Sequence, residues 1–444
     1  MISYLERIYV SVSSKYPEQS EYLQGVKSFL ESISDLSKEL PDLEKLGIIE
    51  RLIEPDRILT FKVPWINKDG QVIVNTGYRV QFSNLIGPYK GGIRFSSTVN
   101  LSILKLLAFE QTFKNSLTGL PLGGAKGGSD FDPRGKTDFE IMTFCQNFML
   151  ELSKYIGSGI DVPAGDLGVG QREVGYLYGM YKKISGKHDE TLTGKAPSYG
   201  GSLVRPEATG YGLAYIVNKA LETYYQTTFD KKNVIISGAG QVASHAAIKV
   251  TQLGGKVIAM STIDGVIHDQ KGIDIPLLTQ LAQNNSSLEL YLNSHPTAIF
   301  SNDPKSLWKI KTDIALPCAT QNEIDHHDII HLIKNGLMLL AEGANKPLTN
   351  EAIALLKEKN IVFIPAKAAN AGGVATSSFE MSQNVTNSFW SFETVDNKLK
   401  DIMETIFSNI YSTALQTNEP YNLEKAANIA SFHKLYLAMK AQDI

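Results

Sequence analysis

Asn233-Val234-Ile235-Ile236-Ser237-Gly238-Ala239-Gly240-Gln241-Val242-Ala243 is the stretch whose reading decides the fold. Asn233 to Ser237 reads as a buried strand, Gly238 to Ala243 as a turn, and the residues to Leu253 as a helix. Gly254-Gly255 end that helix, and Lys256-Val257-Ile258-Ala259-Met260 reads as a second strand. A G-x-G-x-x-A alone is weak evidence. Framed by strand, helix and strand, it is the dinucleotide-binding fingerprint of an α/β sheet. Gly238 and Gly240 permit the tight turn and the close approach of a pyrophosphate, whose charge the helix N-terminus favours.

The end of the second strand bears on the cofactor. An NAD site usually places Asp or Glu there for the ribose hydroxyls. Here Ser261-Thr262-Ile263 follow, with Asp264 three residues late. No carboxylate stands ready to repel a 2′-phosphate, so NADP is favoured, with NAD or dual use open. Further strands follow at Asp313–Pro317, Leu337–Leu340 and Ile361–Pro365, each ending in small or polar residues such as Glu342-Gly343-Ala344-Asn345 and Asn370-Ala371-Gly372-Gly373. Ligands of open α/β sheets bind at such strand ends, although ordinary strand-to-helix turns look alike. From about Phe379 the chain reads helical.

Upstream, lysines stand among glycines. Leu120-Pro121-Leu122-Gly123-Gly124-Ala125-Lys126-Gly127-Gly128 sets Lys126 between two glycine pairs, where the backbone can turn sharply. Lys126 is either a lysine whose pKa falls in a tight, partly dry place, or a solvated lysine on a loop. Gly87-Pro88-Tyr89-Lys90-Gly91-Gly92 frames a second lysine. Between them a helix from about Leu101 to Leu117 carries Gln111 and Lys114 on one face, with Lys105 pointing away and solvated. In Pro163-Ala164-Gly165-Asp166, Asp166 is either a turn residue or a general acid with a raised pKa. Arg57–Val63 and Gln71–Val74 flank Asp69-Gly70 as a hairpin, Thr137 and Glu140 form a capping box, and residues 1–55 read as helices punctuated by Pro41.

With 444 residues the chain holds two to three domains. A formal charge of −3 argues against nucleic acid or an anionic membrane as the main partner. Cys145 and Cys318, the two cysteines, support neither a disulfide scaffold nor a metal site. No run reaches the roughly 18 apolar residues of a membrane span, and the expected setting is the cytoplasm.

Taken together, the chain resembles the small bacterial type of hexameric glutamate dehydrogenase over nearly its full length. The likeness rests on Gly-Pro-Tyr-Lys90-Gly-Gly, Phe-Glu-Gln111-Thr-Phe-Lys114, Gly-Gly-Ala-Lys126-Gly-Gly, Pro-Ala-Gly165-Asp166, Arg205-Pro-Glu-Ala-Thr209-Gly, Leu-Pro-Cys-Ala-Thr-Gln-Asn-Glu and Asn370-Ala-Gly-Gly-Val-Ala-Thr-Ser377. It implies an α/β fold of two domains with an active-site cleft between them. An N-terminal substrate-binding and oligomerisation domain would take residues 1–199 plus about 420–444, and a Rossmann-like dinucleotide-binding domain residues 200–419.

The resemblance also implies reversible deamination of L-glutamate to 2-oxoglutarate and ammonium by a homohexamer. Lys126 would polarise the 2-oxo group and activate water, and Asp166 would shuttle protons. Lys114 and Gln111, with the Gly165 backbone nearby, would hold the α-carboxylate. Lys90 and Ser377, supported by Arg205, would bind the side-chain carboxylate. Thr209, Gln241, Val242, Asn345 and Asn370 would contact the cofactor beside Gly238 and Gly240, and Arg134 is the candidate cation for a 2′-phosphate. The alternatives are another amino-acid dehydrogenase of the superfamily and a non-catalytic relative. The first would lack a cation for the side-chain end; the second would lose Lys126 or Asp166.

Overall fold

The computed structural model describes residues 3–40 and 42–442, so Pro41 lies outside the described residues. The chain divides into two compact units: 1–205 with 376–391 and 428–444, and 206–375 with 392–427.

The first unit is built on a five-stranded sheet. Arg57–Ile66 (β1) and Val72–Ser83 (β2) pair antiparallel from Arg57↔Gln81 to Ile66↔Val72, and Gly70 takes φ +77° in the connecting turn. Tyr89–Phe95 (β3), Gly124–Ser129 (β4) and Asp161–Gly165 (β5) complete it in the order β1-β2-β4-β3-β5. The glycine-framed lysine is therefore no loop: Lys126 sits on β4, a wholly buried interior strand. The glycines serve close packing instead of turning. A Cβ on Gly91 would stand 1.6 Å from the Ala125 carbonyl oxygen, and one on Gly124 would stand 1.9 Å from the Thr112 hydroxyl on the helix Leu101–Leu117.

Strand residues feed two cores. Val80 and Phe82 join the helix Leu101–Leu117, the helices Tyr4–Lys15 and Ser20–Ser32, and Phe432, Leu435 and Met439 near the C-terminus. Val63, Trp65, Ile93 and Phe95 join the helices Asp138–Leu152 and Gln171–Ser185. The Thr137–Glu140 capping box starts the former helix.

Lys105 differs from its expectation as a solvated residue. It is fully buried, with its ammonium 3.2 Å and 4.1 Å from the ring centres of Tyr16 and Tyr22. Burial pushes it down to about 8. Helical phase placed it opposite Lys114, but that face is covered by tyrosines some eighty residues upstream.

Residues 376–391, expected with the dinucleotide domain, pack with the first unit. Glu380 accepts from the backbone N–H groups of Gly194 and Lys195 and pairs with the Lys195 ammonium at 3.1 Å. Gln383 donates to Ser202, and Asn384 to the Gly200 carbonyl.

The second unit carries a seven-stranded sheet. Its strands are Asn233–Ile236 (β6), Lys256–Thr262 (β7), Gly265–His268 (β8), Ile299–Ser301 (β9), Ile314–Leu316 (β10), Leu339–Ala341 (β11) and Val362–Ile364 (β12). The order is β12-β11-β10-β6-β7-β8-β9. β6, β7, β10, β11 and β12 run parallel, while β8 and β9 add an antiparallel edge. Chain order switches direction at β6, with β7 on one side and β10 on the other. Ligands of doubly wound sheets bind at the carboxyl ends of strands at such a switch. Both cysteines are free thiols. Among the described residues no helix is long and apolar enough to cross a membrane.

Candidate active site

On the first unit, neighbouring strands gather the charges. Along β3, Lys90 and Arg94 share one face of the sheet because side chains alternate along a strand. β4 supplies Lys126 and the turn after β5 supplies Asp166. Asp166 Oδ2 accepts from Arg94 Nε at 2.8 Å and lies 3.2 Å from Lys126 Nζ. Gly92 makes room for this group, since a Cβ there would be 2.8 Å from the Asp166 Cβ.

The electrostatics follow from this crowding. Burial pushes the Lys126 ammonium below its ordinary value; the Asp166 carboxylate opposes the change and the Arg94 charge adds to it. Burial alone would raise Asp166, but the Lys126 and Arg94 charges and their hydrogen bonds hold it at about 2. A raised pKa, one of the two sequence readings of Asp166, is thus reversed in sign. The residue is also a turn residue, its carbonyl accepting from Val169 N–H at 2.8 Å.

Lys90 is buried and donates to the Thr193 hydroxyl at 2.8 Å. Burial and the nearby Arg205 charge push it down to about 7. Arg205 Nε donates to Ser377 Oγ at 3.2 Å. Burial, the Lys126 charge and, more weakly, Arg205 bring Lys114 to about 8. Arg205 is thus felt by both Lys90 and Lys114, and Lys114 feels Lys126 and Asp166 as well. Gln111 donates to Asn115, whose amide reaches the carbonyls of Lys90 and Gly123. Gly165 closes β5 opposite Ile93. Lys90, Gln111, Lys114, Lys126, Gly165, Asp166, Arg205 and Ser377 all belong to this unit.

On the second unit, Gly238 takes φ +85° and Gly240 caps the helix Gln241–Gln252 in extended conformation. A Cβ on Gly240 would meet open space, so its backbone is free to be approached by a phosphate, whereas Ala243 is wholly buried. Val242 and Thr209 lie where two helices touch: a Cβ on Gly210 would be 2.6 Å from the Val242 carbonyl oxygen. Asn370 donates to Asn345 at 2.9 Å. A cavity of about 690 Å³ opens beside the fingerprint, lined by Gly238, Gly240, Ser261, Lys305, Ala319 and Glu323 among others. The donor set, the turn and the open helix N-terminus fit a pyridine dinucleotide.

Two family models match in turn. Residues 55–183 match the Glu/Leu/Phe/Val dehydrogenase dimerisation domain, and residues 200–443 match Glutamate/Leucine/Phenylalanine/Valine dehydrogenase. The chain belongs to the Glu/Leu/Phe/Val dehydrogenase family. It is 52% identical to an NAD-specific glutamate dehydrogenase of Bacteroides fragilis, covering 99% of each chain. Identity to an NADP-specific glutamate dehydrogenase of Helicobacter pylori is 45%, over 99% of this chain and 100% of that one. The crystal structure of Plasmodium falciparum glutamate dehydrogenase superposes with a TM-score of 0.94 at 46% identity, covering 99% of this chain and 94% of that one.

Within this family member, several residues escaped the sequence reading. Arg94 had a signal, its strand parity with Lys90. Thr193 had none, standing in a loop beside Leu192, which takes φ +66°. Glu342, named in the sequence only as part of a strand end, is buried after β11 and accepts from Ala366 N–H at 2.8 Å. Burial, with Glu424 adding to it, pushes Glu342 up to about 8. Arg134 belongs to the first unit, exposed and forked onto Asp132. Among the described residues that line the fingerprint cavity, the cation is Lys305.

Proposed function

We propose that the chain is a glutamate dehydrogenase, converting L-glutamate, a pyridine dinucleotide and water reversibly to 2-oxoglutarate, ammonium and the reduced dinucleotide. The observation that carries this reading is the Lys126–Asp166–Arg94 group beside two further cationic ends, Lys114 and the Lys90–Arg205–Ser377 set. A dicarboxylate calls for two separated cationic anchors. Lys90, Ser377 and Arg205 are assigned to the side-chain carboxylate, and Lys114 and Gln111, beside Gly165, to the α-carboxylate. Anchoring both ends fixes C2 for reaction.

When bound, the dinucleotide accepts or donates the hydride at C2. Lys126 polarises the 2-oxo group and orients the water that hydrolyses the iminium. Asp166 moves protons to and from the nitrogen. Its low pKa depends on Lys126, so drawing that ammonium onto the substrate oxygen lets burial raise Asp166 into a useful range. Thr209, Gln241, Val242, Asn345 and Asn370, with Gly238 and Gly240, hold the dinucleotide. We assign a homohexamer to the assembly; the match to a dimerisation domain supports self-association.

NAD is the preferred dinucleotide, a reading supported by the higher identity to an NAD-specific relative. The second reading, NADP, is favoured by Ser261 standing where a carboxylate would repel a 2′-phosphate. Purified protein assayed with 2-oxoglutarate and ammonium against NADH and NADPH separately tests both readings. Turnover is expected with NADH above NADPH, and Lys126→Ala should lower it by about 10²–10⁴-fold. A folded protein silent with both cofactors would end the glutamate assignment, and other 2-oxo acids would then be the next substrates.

A further inference from the structure

Lys305 stands on the wall of the fingerprint cavity, at the start of the short turn Pro304–Lys309. In a doubly wound sheet the ribose next to the fingerprint meets the end of the second strand, here Ser261 and Thr262, which line the same cavity. A 2′-phosphate would therefore enter a space whose cation is already engaged. Lys305 Nζ donates to Asp328 at 2.7 Å and to Asp325 at 3.0 Å. Both carboxylates sit at the start of the helix His326–Lys334, where Asp325 caps the N–H groups of His327 and Asp328. One ammonium held by two carboxylates gives this trio a net charge of −1, and the Glu323 carboxyl on the same wall adds no cation. A phosphomonoester brings nearly two further negative charges at neutral pH.

We propose that Asp325 and Asp328 determine dinucleotide choice by sequestering the Lys305 ammonium, so that the 2′-hydroxyl form binds in preference to the 2′-phosphate form. The inference rests on the reading of this cavity as the adenosine end of the dinucleotide site. Neither aspartate lines the cavity, so neither touches the dinucleotide; they act through Lys305. Released from them, the lysine reaches the phosphate as a point charge.

Full-length enzyme carrying Asp325→Asn and Asp328→Asn is the test, because asparagine also caps helices. Binding of ADP-ribose and of 2′-phospho-ADP-ribose is measured by calorimetry, together with KM for NAD and NADP. The double variant should bind the 2′-phosphate probe and NADP about tenfold more tightly, with ADP-ribose and NAD changed by less than about twofold, as one charged hydrogen bond implies. Asp328→Asn alone, which keeps the Asp325 carboxylate, should give part of the gain. Adding Lys305→Met to the double variant should abolish it. Unchanged affinity for the 2′-phosphate probe in a variant that still binds ADP-ribose overturns the inference, as does a gain that survives Lys305→Met. Failure of ADP-ribose to bind the unaltered protein overturns the inference together with the cavity reading beneath it.

Discussion

Asp166 illustrates how opposing effects make a residue adjustable. Burial favours its neutral form, while Lys126 at 3.2 Å and Arg94 at 2.8 Å favour the charged form and win. Removing one cation should therefore move it measurably. Arg94→Gln is expected to raise the acidic limb of the kcat/KM profile by about one pH unit, since an opposite charge this close lowers a carboxyl by one to three units. An unmoved limb would show that Asp166 does not set it. Glu342 is the converse case, raised to about 8 from 4.5 by burial, which outweighs the backbone N–H groups that favour its charged form. Between those values the folded chain keeps a proton that the unfolded chain has released, so stability falls as pH rises through the window. Glu342→Gln removes that dependence. Its melting temperature should exceed that of the parent increasingly from pH 5 to 8, by up to roughly 1.4 kcal/mol of stability per unit. Equal melting curves at pH 8 would mean the carboxyl ionises without penalty.

At the scale of elements, the same residue type does two jobs. Gly91 on β3 is a packing glycine, whose added Cβ would strike the Ala125 carbonyl oxygen on β4. Gly240 is the opposite case, since its added Cβ would meet nothing of the protein. Gly91→Ala is expected to cost several kcal/mol and leave little folded protein, because backbone of two buried strands must part. Gly240→Ala should melt like the parent yet raise KM for the dinucleotide, the added methyl standing where a pyrophosphate approaches. A fall in melting temperature without a change in KM would reverse these roles. The contrast also explains what the sequence could carry. The strand–turn–helix at 233–253 was legible because hydrophobic run and glycine spacing agree locally. The Lys126 segment stayed open between a loop and a tight site because glycines mark both turns and close strand contacts, and neighbours such as Thr112, Tyr78 and Arg94 distinguish them. The Asp166 pair with Arg94 and the burial of Lys105 arise from residues 72 and about 85 positions apart, beyond any local pattern.

At the scale of the whole molecule, the first unit gathers the cations that suit a dicarboxylate, and the second provides the turn and strand ends that suit a dinucleotide. The order of motifs along the chain was readable; the faces left uncovered were not, because alternation alone does not say which side of a strand meets solvent. On β1 and β2 the paired residues Ile66 and Val72, with Val74, remain 51%, 67% and 60% exposed. β1 is also an edge strand of its sheet. A run of bare aliphatic side chains beside an open edge invites association. It falls within residues 55–183, which match the dimerisation domain of the family. Val72→Lys with Val74→Lys places two charges on this face without entering either core, so the protomer itself should stay folded. The parent is expected to have a mass near six times the 48.8 kDa protomer by light scattering. The double variant should fall to a smaller species with an unchanged circular dichroism spectrum, since burying two uncompensated ammonium groups at a contact costs more than a small interface returns. A mass that does not change would place the subunit contact elsewhere on the first unit and leave this face as solvent-exposed sheet.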